Sequence, residues 1–319
     1  MFDFLHKNII FQSFLLLVLL ALCAFSIFSS LRVSDLTGAP VLAGSLQHLH
    51  THYPLLLKIV TFLTLVLQLI LLQHFIHKNS LTEDKTLYPS VIYLALLAGG
   101  QVFTSLNSVF FINLFIILLL LLNSGYENAS IKNRVFMSGA LVGVISFLDI
   151  ASAVTIFFIF ISLTVNRFSK AKDILLTIFG FGIPIIYFFS YYLFTDQYVG
   201  ARESLQQLHF LGFFDSISYL GIRDYLAFSA LALYLLYMGI TLNMIFSKKL
   251  IVMRRRLISI HAMTVCLFAI TLLTYAGYPS LLTYLFLPVA VYYSISSQYK
   301  ANWIFNDILS LFLIILLCL

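Results

Sequence analysis

Charged side chains are scarce in this sequence. Asp, Glu, Lys and Arg make up 9% of its 319 residues, where a soluble domain carries about 25%. With 61% of the residues hydrophobic, there is too little polar surface to coat a water-soluble fold, so the solvent must largely be lipid. Cysteine is scarce too. Cys23, Cys266 and Cys318 all sit in apolar runs, and no Cys-x-x-Cys occurs. That excludes a disulfide framework and leaves inert packing thiols. A Gly-rich phosphate loop is absent, and no cofactor is implied. The net charge of +6 is scattered. No basic face interleaves with aromatics, which argues against nucleic acid as a partner.

What the chain has instead is long apolar runs. The first, Ile9–Ser29, is too long for a signal-peptide core and no Ala-x-Ala follows it, so it reads as an anchor. "LALC" at Leu20 to Cys23 lacks the small residue a lipidation box needs before its Cys. A spanning helix takes about 20 apolar residues. Eleven such segments fit: 9–29, 54–76, 88–105, 108–123, 132–148, 150–166, 174–195, 225–246, 257–277, 279–297 and 303–319. In hydrocarbon each backbone amide must be bonded within its own segment, so these are expected to be helices. The expected fold is all-α, one polytopic transmembrane bundle over residues 1–319. The alternating pattern of a β-barrel is missing.

Residues 134–167 could be one long helix or two short ones. The positive-inside rule separates the two, because Lys and Arg concentrate in cytoplasmic loops. With a turn at Asp149, and the N-terminus with Lys7 inside, all eighteen cations fall inside except Arg32, Lys58, Arg202 and Arg223. One long helix would put every later basic loop outside. The expected topology is therefore a bacterial inner-membrane protein with a cytoplasmic N-terminus and a periplasmic C-terminus. Two outer hairpins are short, turning at "SLNS" (Ser105 to Ser108) and at "FLDIAS" (Phe147 to Ser152). "GFGIP" at Gly180 to Pro184 reads as the single Gly/Pro break within a span.

Two outer loops have substance, 30–53 and 196–224. Within the first, Leu42, Leu46, Leu49 and Tyr53 fall on one stripe of a helix from Gly38 to Tyr53. This is an amphipathic juxtamembrane helix lying in the interface. Its three histidines, His48, His50 and His52, do not converge on one face, so no metal site is expected. They read as a polar flank facing headgroups. His74 and His77 read as interfacial anchors, and Lys58 and Asp307 as snorkelling side chains.

Candidate chemistry lies in the same loops. Arg32, Arg202 and Arg223 suit bidentate phosphate contacts and are the candidate substrate-binding residues. Asp35 and Asp149 are the candidate catalytic acids. Asp149 interrupts a long apolar stretch with no cation beside it, and charges so placed are costly and often functional. Its structural alternative is a cap on the helix that follows, through the amides of Ala151 or Ser152.

A resemblance bears on these residues. "MSGALVGVISFLDIASAVTIFFIFISLTVNRFSKAKDILLTIFGFGIPIIYFFSYYLFTDQ", Met137 to Gln197, with "YPSVIYLALLAGG" from Tyr88, resembles a family of uncharacterised multi-pass inner-membrane proteins of Bacteroidota. That family is weakly similar to membrane glycosyltransferases of the type C fold. The resemblance implies an interfacial helix in the first outer loop and an acidic residue soon after the first span, the place held by Asp35 in "LRVSDLTGAP". Type C enzymes often carry a paired acidic motif and a longer loop, and this chain has neither. Three readings follow. One is a membrane subunit or assembly factor of cell-envelope machinery, with other membrane proteins and the bilayer as partners. The second is a transferase using a polyprenyl-phosphate-linked donor. The third is a secondary transporter. The first predicts no enclosed polar cavity but an exposed apolar or aromatic face, the second a cavity shared by Asp35 and an outer Arg.

Overall fold

The computed structural model describes residues 8–30, 51–82, 86–99, 106–123, 131–148, 150–165, 171–194, 222–246, 251–274 and 283–298. Among these residues all regular structure is helical and no strand occurs. In chain order the helices are α1 (Ile9–Ser30), α2 (Pro54–Lys78), α3 (Tyr88–Gly99), α4 (Leu106–Asn123), α5 (Ile131–Leu148), α6 (Thr155–Val165), α7 (Ala171–Phe194), α8 (Ile222–Phe246), α9 (Ile251–Thr274) and α10 (Thr283–Gln298). A 3-10 turn, Ile150–Val154, leads into α6. Five segments are long and apolar enough to cross a membrane: Ile9–Ser29, Pro54–Lys78, Ala171–Tyr191, Phe228–Phe246 and Met253–Leu272. Shorter apolar helices lie between them. The segment expected at 303–319 lies outside the described residues.

Several boundaries differ from the expectation. Leu106, Asn107 and Ser108 already belong to α4, so "SLNS" is no turn. Asn107 and Ser108 then lie in the first turn of α4, where short polar side chains suit the amides that lack a helical partner. Arg254, Arg255 and Arg256 lie within α9 rather than before it, as straight-chain cations are good helix formers. Helix α7 runs through "GFGIP", and α10 holds a second interior proline, Pro288. "GFGIP" is therefore no break, and Pro184 has a counterpart inside another helix.

The ends of the helices are finished by identifiable groups. Asn8 caps α1, its Oδ1 accepting from the amides of Ile10 at 3.2 Å and Phe11 at 3.4 Å. Helix α2 starts with Pro54 in its first turn, where its missing N–H costs nothing. It stops in a Schellman turn. The Leu81 amide donates to the Ile76 carbonyl and the Ser80 amide to that of His77, with Ser80 left-handed at φ 48°. Two cations complete carbonyls that the helices leave open. Lys58 does more than snorkel: its Nζ donates to the Phe28 carbonyl, 2.7 Å away at the C-terminal end of α1. Arg256 donates to the Asn79 carbonyl at the end of α2.

Side-chain contacts fix the directions of the helices. The Gln12 side chain near the start of α1 accepts from the Leu87 amide just before α3. Gln73, near the end of α2, meets Thr86 and Ser90 at the start of α3. Tyr293, near the end of α10, reaches Tyr88. Ser162, near the end of α6, faces Ser259, near the start of α9. One end of the bundle thus gathers the starts of α1, α3 and α9 and the ends of α2, α6 and α10.

The pairing of α5 with α7 completes this picture. Positions 139 and 177 meet, as do 143 and 181, so the two helices run parallel. A parallel pair requires the segment between them to cross back, which separates α5 from α6. The bundle end described above therefore also holds the starts of α5 and α7. Lys78, Lys132, Arg134, Lys172 and Arg254 to Arg256 collect there. Lys58 starts near the opposite end, and so does Arg223, since Gly239 late in α8 faces His261 early in α9.

The seam between α5 and α7 is built on absent side chains. A Cβ on Gly139 would lie 2.2 Å from the Thr177 carbonyl oxygen, and one on Gly180 2.3 Å from that of Phe136. The Pro184 ring seats against Gly143, where a Cβ would come within 3.0 Å of its Cγ. Small residues that let backbones touch are the usual glue between helices in lipid. Helix α10 is the opposite case. Every residue from Tyr284 to Ser296 is buried, so it is the central rod around which α3, α4, α8 and α9 pack.

These contacts separate two glycines of one helix. Gly180→Ala should force α5 and α7 apart and destabilise the chain by about 1–3 kcal/mol. Gly182 has nothing within 4 Å of a Cβ, so Gly182→Ala should be neutral or stabilising by up to about 1 kcal/mol. Unfolding of the two variants in mild detergent decides it, and equal losses would refute the seam.

Candidate functional site

Most residues singled out by sequence lie outside the described residues. This holds for Arg32, Asp35, Asp149 and Arg202, and for His48 and His50. Arg223 lies in the first turn of α8. Of the juxtamembrane stretch only its end is described: Thr51 and His52 are helical and exposed, with Thr51 Oγ1 3.0 Å from His52 Nδ1. His74 is exposed at its helix end. His77 is half-buried, its Nε2 2.8 Å from Gln73 Nε2. Cys23 and Cys266 are free and buried; Cys318 lies outside the described residues. Among the described residues no group of three His, Cys, Asp or Glu side chains is placed to hold a metal.

Polar chemistry gathers instead inside the bundle, on the faces that meet α10 and α2. Tyr292 in α10 is its centre. The phenol oxygen lies 2.5 Å from His261 Nδ1 and 3.0 Å from Thr264 Oγ1, both on α9. Thr264 also stands 2.9 Å from the Ile260 carbonyl. The His261 ring meets that of Tyr292 edge-on, 5.4 Å between centroids. Gly239 of α8 closes the other side: a Cβ there would lie 3.8 Å from His261 Cε1. His261 Nε2 is buried without a hydrogen-bond partner among the described residues.

Next to Tyr292, Tyr293 points to another helix. Its hydroxyl accepts from Tyr88 at 3.0 Å, and the rings lie 5.5 Å apart. Consecutive residues of a buried helix thus reach two neighbours, α9 and α3, since they are about 100° apart around its axis.

A second polar group lies between α2, α3 and α4. Gln68 and Tyr93 are fully buried, with Gln68 Nε2 donating to the phenol at 2.5 Å. Asn113 of α4 donates to the Thr64 carbonyl one turn earlier, at 3.0 Å. Gln68 Oε1 and Asn113 Oδ1 carry no partner among the described residues. Such orphan oxygens cost free energy, so the amides are held by what their NH2 groups reach.

Sequence reasoning passed over His261 and Tyr292. The signal was available: a histidine five residues beyond an Arg triplet and inside an apolar run is an intramembrane ionisable group, which is a site hypothesis by default. Tyr292 had no such signal, because "VYYS" reads as ordinary aromatic packing.

Comparison with known proteins returns no match among family models, curated proteins or solved structures. The likeness to Bacteroidota membrane proteins and to type C transferases therefore rests on the sequence segments quoted above alone.

The Gln68–Tyr93 pair gives a direct test of how this core is held. Tyr93→Phe removes the acceptor of a buried amide and should cost about 1–3 kcal/mol. Adding Gln68→Leu removes the orphan as well and should recover most of that loss. A double variant less stable than Tyr93→Phe alone, by thermal unfolding, would contradict the arrangement.

Proposed function

We propose that this chain is a multi-pass bacterial inner-membrane protein that serves as a membrane subunit or assembly factor in cell-envelope biogenesis. The observation that carries the reading is the outer face of α7. This helix packs on α5, and Leu175, Phe179, Ile186, Tyr187, Tyr191 and Phe194 are all exposed along its length. Tyrosine and phenylalanine give a contact face large area at low cost in side-chain entropy. Aromatic side chains also suit the membrane–water interface, as at the end of α7, but Phe179 lies near the middle of the helix. An aromatic face on a helix held by a single glycine seam fits a second membrane protein better than lipid alone.

Orientation follows from charge. The end that gathers Lys78, Lys132, Arg134, Lys172 and the Arg254–Arg256 triplet is the cytoplasmic one by the positive-inside rule. With eleven spans the N-terminus is then cytoplasmic and the C-terminus periplasmic. A reporter fused after Leu319 should be active only in the periplasm, and activity only in the cytoplasm would exclude this topology.

One set of variants separates the subunit from a polyprenyl-phosphate-dependent transferase. In a deletion strain with an envelope phenotype, Asp35→Asn and Asp149→Asn should restore growth fully, since no carboxylate chemistry is involved. Phe179→Leu combined with Tyr187→Leu and Tyr191→Leu keeps the face apolar and should fail to restore it, at normal protein levels. The reverse pattern would hand the function to the transferase reading, with Asp35, Asp149 and the outer arginines Arg32, Arg202 and Arg223 as its residues.

A further inference from the structure

The cluster around His261 is not used by the reading above. Its geometry has two properties that packing alone does not call for. The first is a ring whose Nδ1 is held and whose Nε2 is buried without a partner among the described residues. The second is a hydroxyl pair that can be satisfied in either direction. A neutral imidazole carries one N–H and one bare nitrogen, and each hydroxyl has a single proton to give.

In the neutral state Thr264 donates to Tyr292, and Tyr292 donates to Nδ1. The N–H is then on Nε2. When Nδ1 takes a proton the chain reverses. Nδ1–H donates to Tyr292, Tyr292 to Thr264 Oγ1, and Thr264 to the Ile260 carbonyl, already 2.9 Å away. No heavy atom has to move, and the proton added to the ring is the only atom gained. We infer that His261, Tyr292 and Thr264 form a proton-binding relay inside the membrane-embedded core, with His261 as the site of loading.

The surroundings fix what loading does. From α10 the titratable group against the ring is Tyr292. Helix α8 presents Gly239, and α6 meets α9 through Ser162 and Ser259. The 3-10 turn Ile150–Val154 has no ionisable side chain. On α9 itself the nearest charge is Arg256, about 7.5 Å back along the axis at 1.5 Å per residue. No described carboxylate faces the ring. The imidazolium therefore depends on neutral dipoles and on water for its Nε2–H. Gly239 packs against the ring, a Cβ added there falling 3.8 Å from Cε1 and 3.9 Å from Nδ1 in ordinary contact, so water reaches that edge only if α8 moves. Loading should draw water to that edge and loosen α8 from α9.

The test uses the full chain in lipid nanodiscs with 15N-labelled histidine. The ring signals lost in His261→Gln should titrate reversibly between pH 8 and pH 4.5. Hydrogen exchange in peptides around Gly239 and His261, corrected for the intrinsic slowing of amide exchange at lower pH, should rise about tenfold as the pH falls over the same range. A charge-assisted hydrogen bond is about twice as strong as a neutral one, so Tyr292→Phe should weaken proton binding by about tenfold. Gly239→Ala fits without a shift and should abolish the rise in exchange. Should His261→Gln fail to fold, the signals moved by Tyr292→Phe identify the ring instead. His261 signals unchanged down to pH 4.5 in the folded protein would overturn the relay. So would a titration that Tyr292→Phe leaves in place.

Discussion

Lipid gives one apolar helix no reason to prefer another. Once the runs of Leu, Ile and Phe are in hydrocarbon, burying them further gains little, and association rests on close packing and on polar groups that need partners. This constraint explains which residues hold the bundle. Where helices have no side chain they touch backbone to backbone, as α5 and α7 do at Gly139 and Gly180. Where they carry hydroxyls or amides they are tied across, as at Tyr88–Tyr293, Ser162–Ser259, Asn113–Thr64 and Gln68–Tyr93. Each tie is worth on average about 0.6 kcal/mol, so no single one sets the fold. Their value is directional. A misplaced helix would leave a polar group bare in a medium that offers no substitute.

The same constraint divides the helices into a core and a rim. Helix α10 has no charge between Tyr284 and Ser296 and is buried throughout, with Tyr292 and Tyr293 turned to different neighbours. Helices α1 and α7 lie at the rim, showing rows of bulky apolar side chains. The rim helices are joined to the rest by specific local devices. Lys58 holds the far end of α1 by its Phe28 carbonyl, and Pro184 fills the notch at Gly143. An interior proline withholds the amide that would bond the carbonyl four residues back, at Gly180 in α7 and at Tyr284 in α10. Both are tolerated because neighbouring helices pack against these turns.

Fold class was legible because it follows from hydropathy and length, properties of whole segments. Ten of the eleven expected segments correspond to described helices. The separation of α5 from α6 was legible too: the charge pattern calls for two helices there, and α5 and α7 run parallel with α6 between them in sequence. Boundaries were less so. Arg254 to Arg256 look like a loop, yet three arginines are comfortable in the first turns of α9. The site was the least legible. In sequence the chemical signal sits on carboxylates and arginines of the outer loops, because in water-facing enzymes those residues carry the chemistry. The described polar core is built from a histidine, tyrosines, threonines and amides whose meaning depends on which helix they meet. Nothing in "SIHAMT" says that His261 finds a phenol thirty-one residues later.

His261 also constrains any account of what the protein does. A ring nitrogen buried without a partner, as Nε2 is among the described residues, costs about 1–3 kcal/mol. A purely structural core would have no reason to keep it when Leu or Met would fill the same space. A subunit that only passively anchors others would tolerate that replacement. One whose attachment responds to proton supply would not, because the relay lies where α8 and α9 meet beside the central helix. Helix α7, with its aromatic face, belongs to a different part of the bundle, joined through α5 and α6. The Ser162–Ser259 pair is one polar link between those parts. If loading at His261 shifts α9, that hydroxyl pair is where the displacement would first be felt by α6, and through the packing of α6 and the 3-10 turn on α5, by the helix that carries the face.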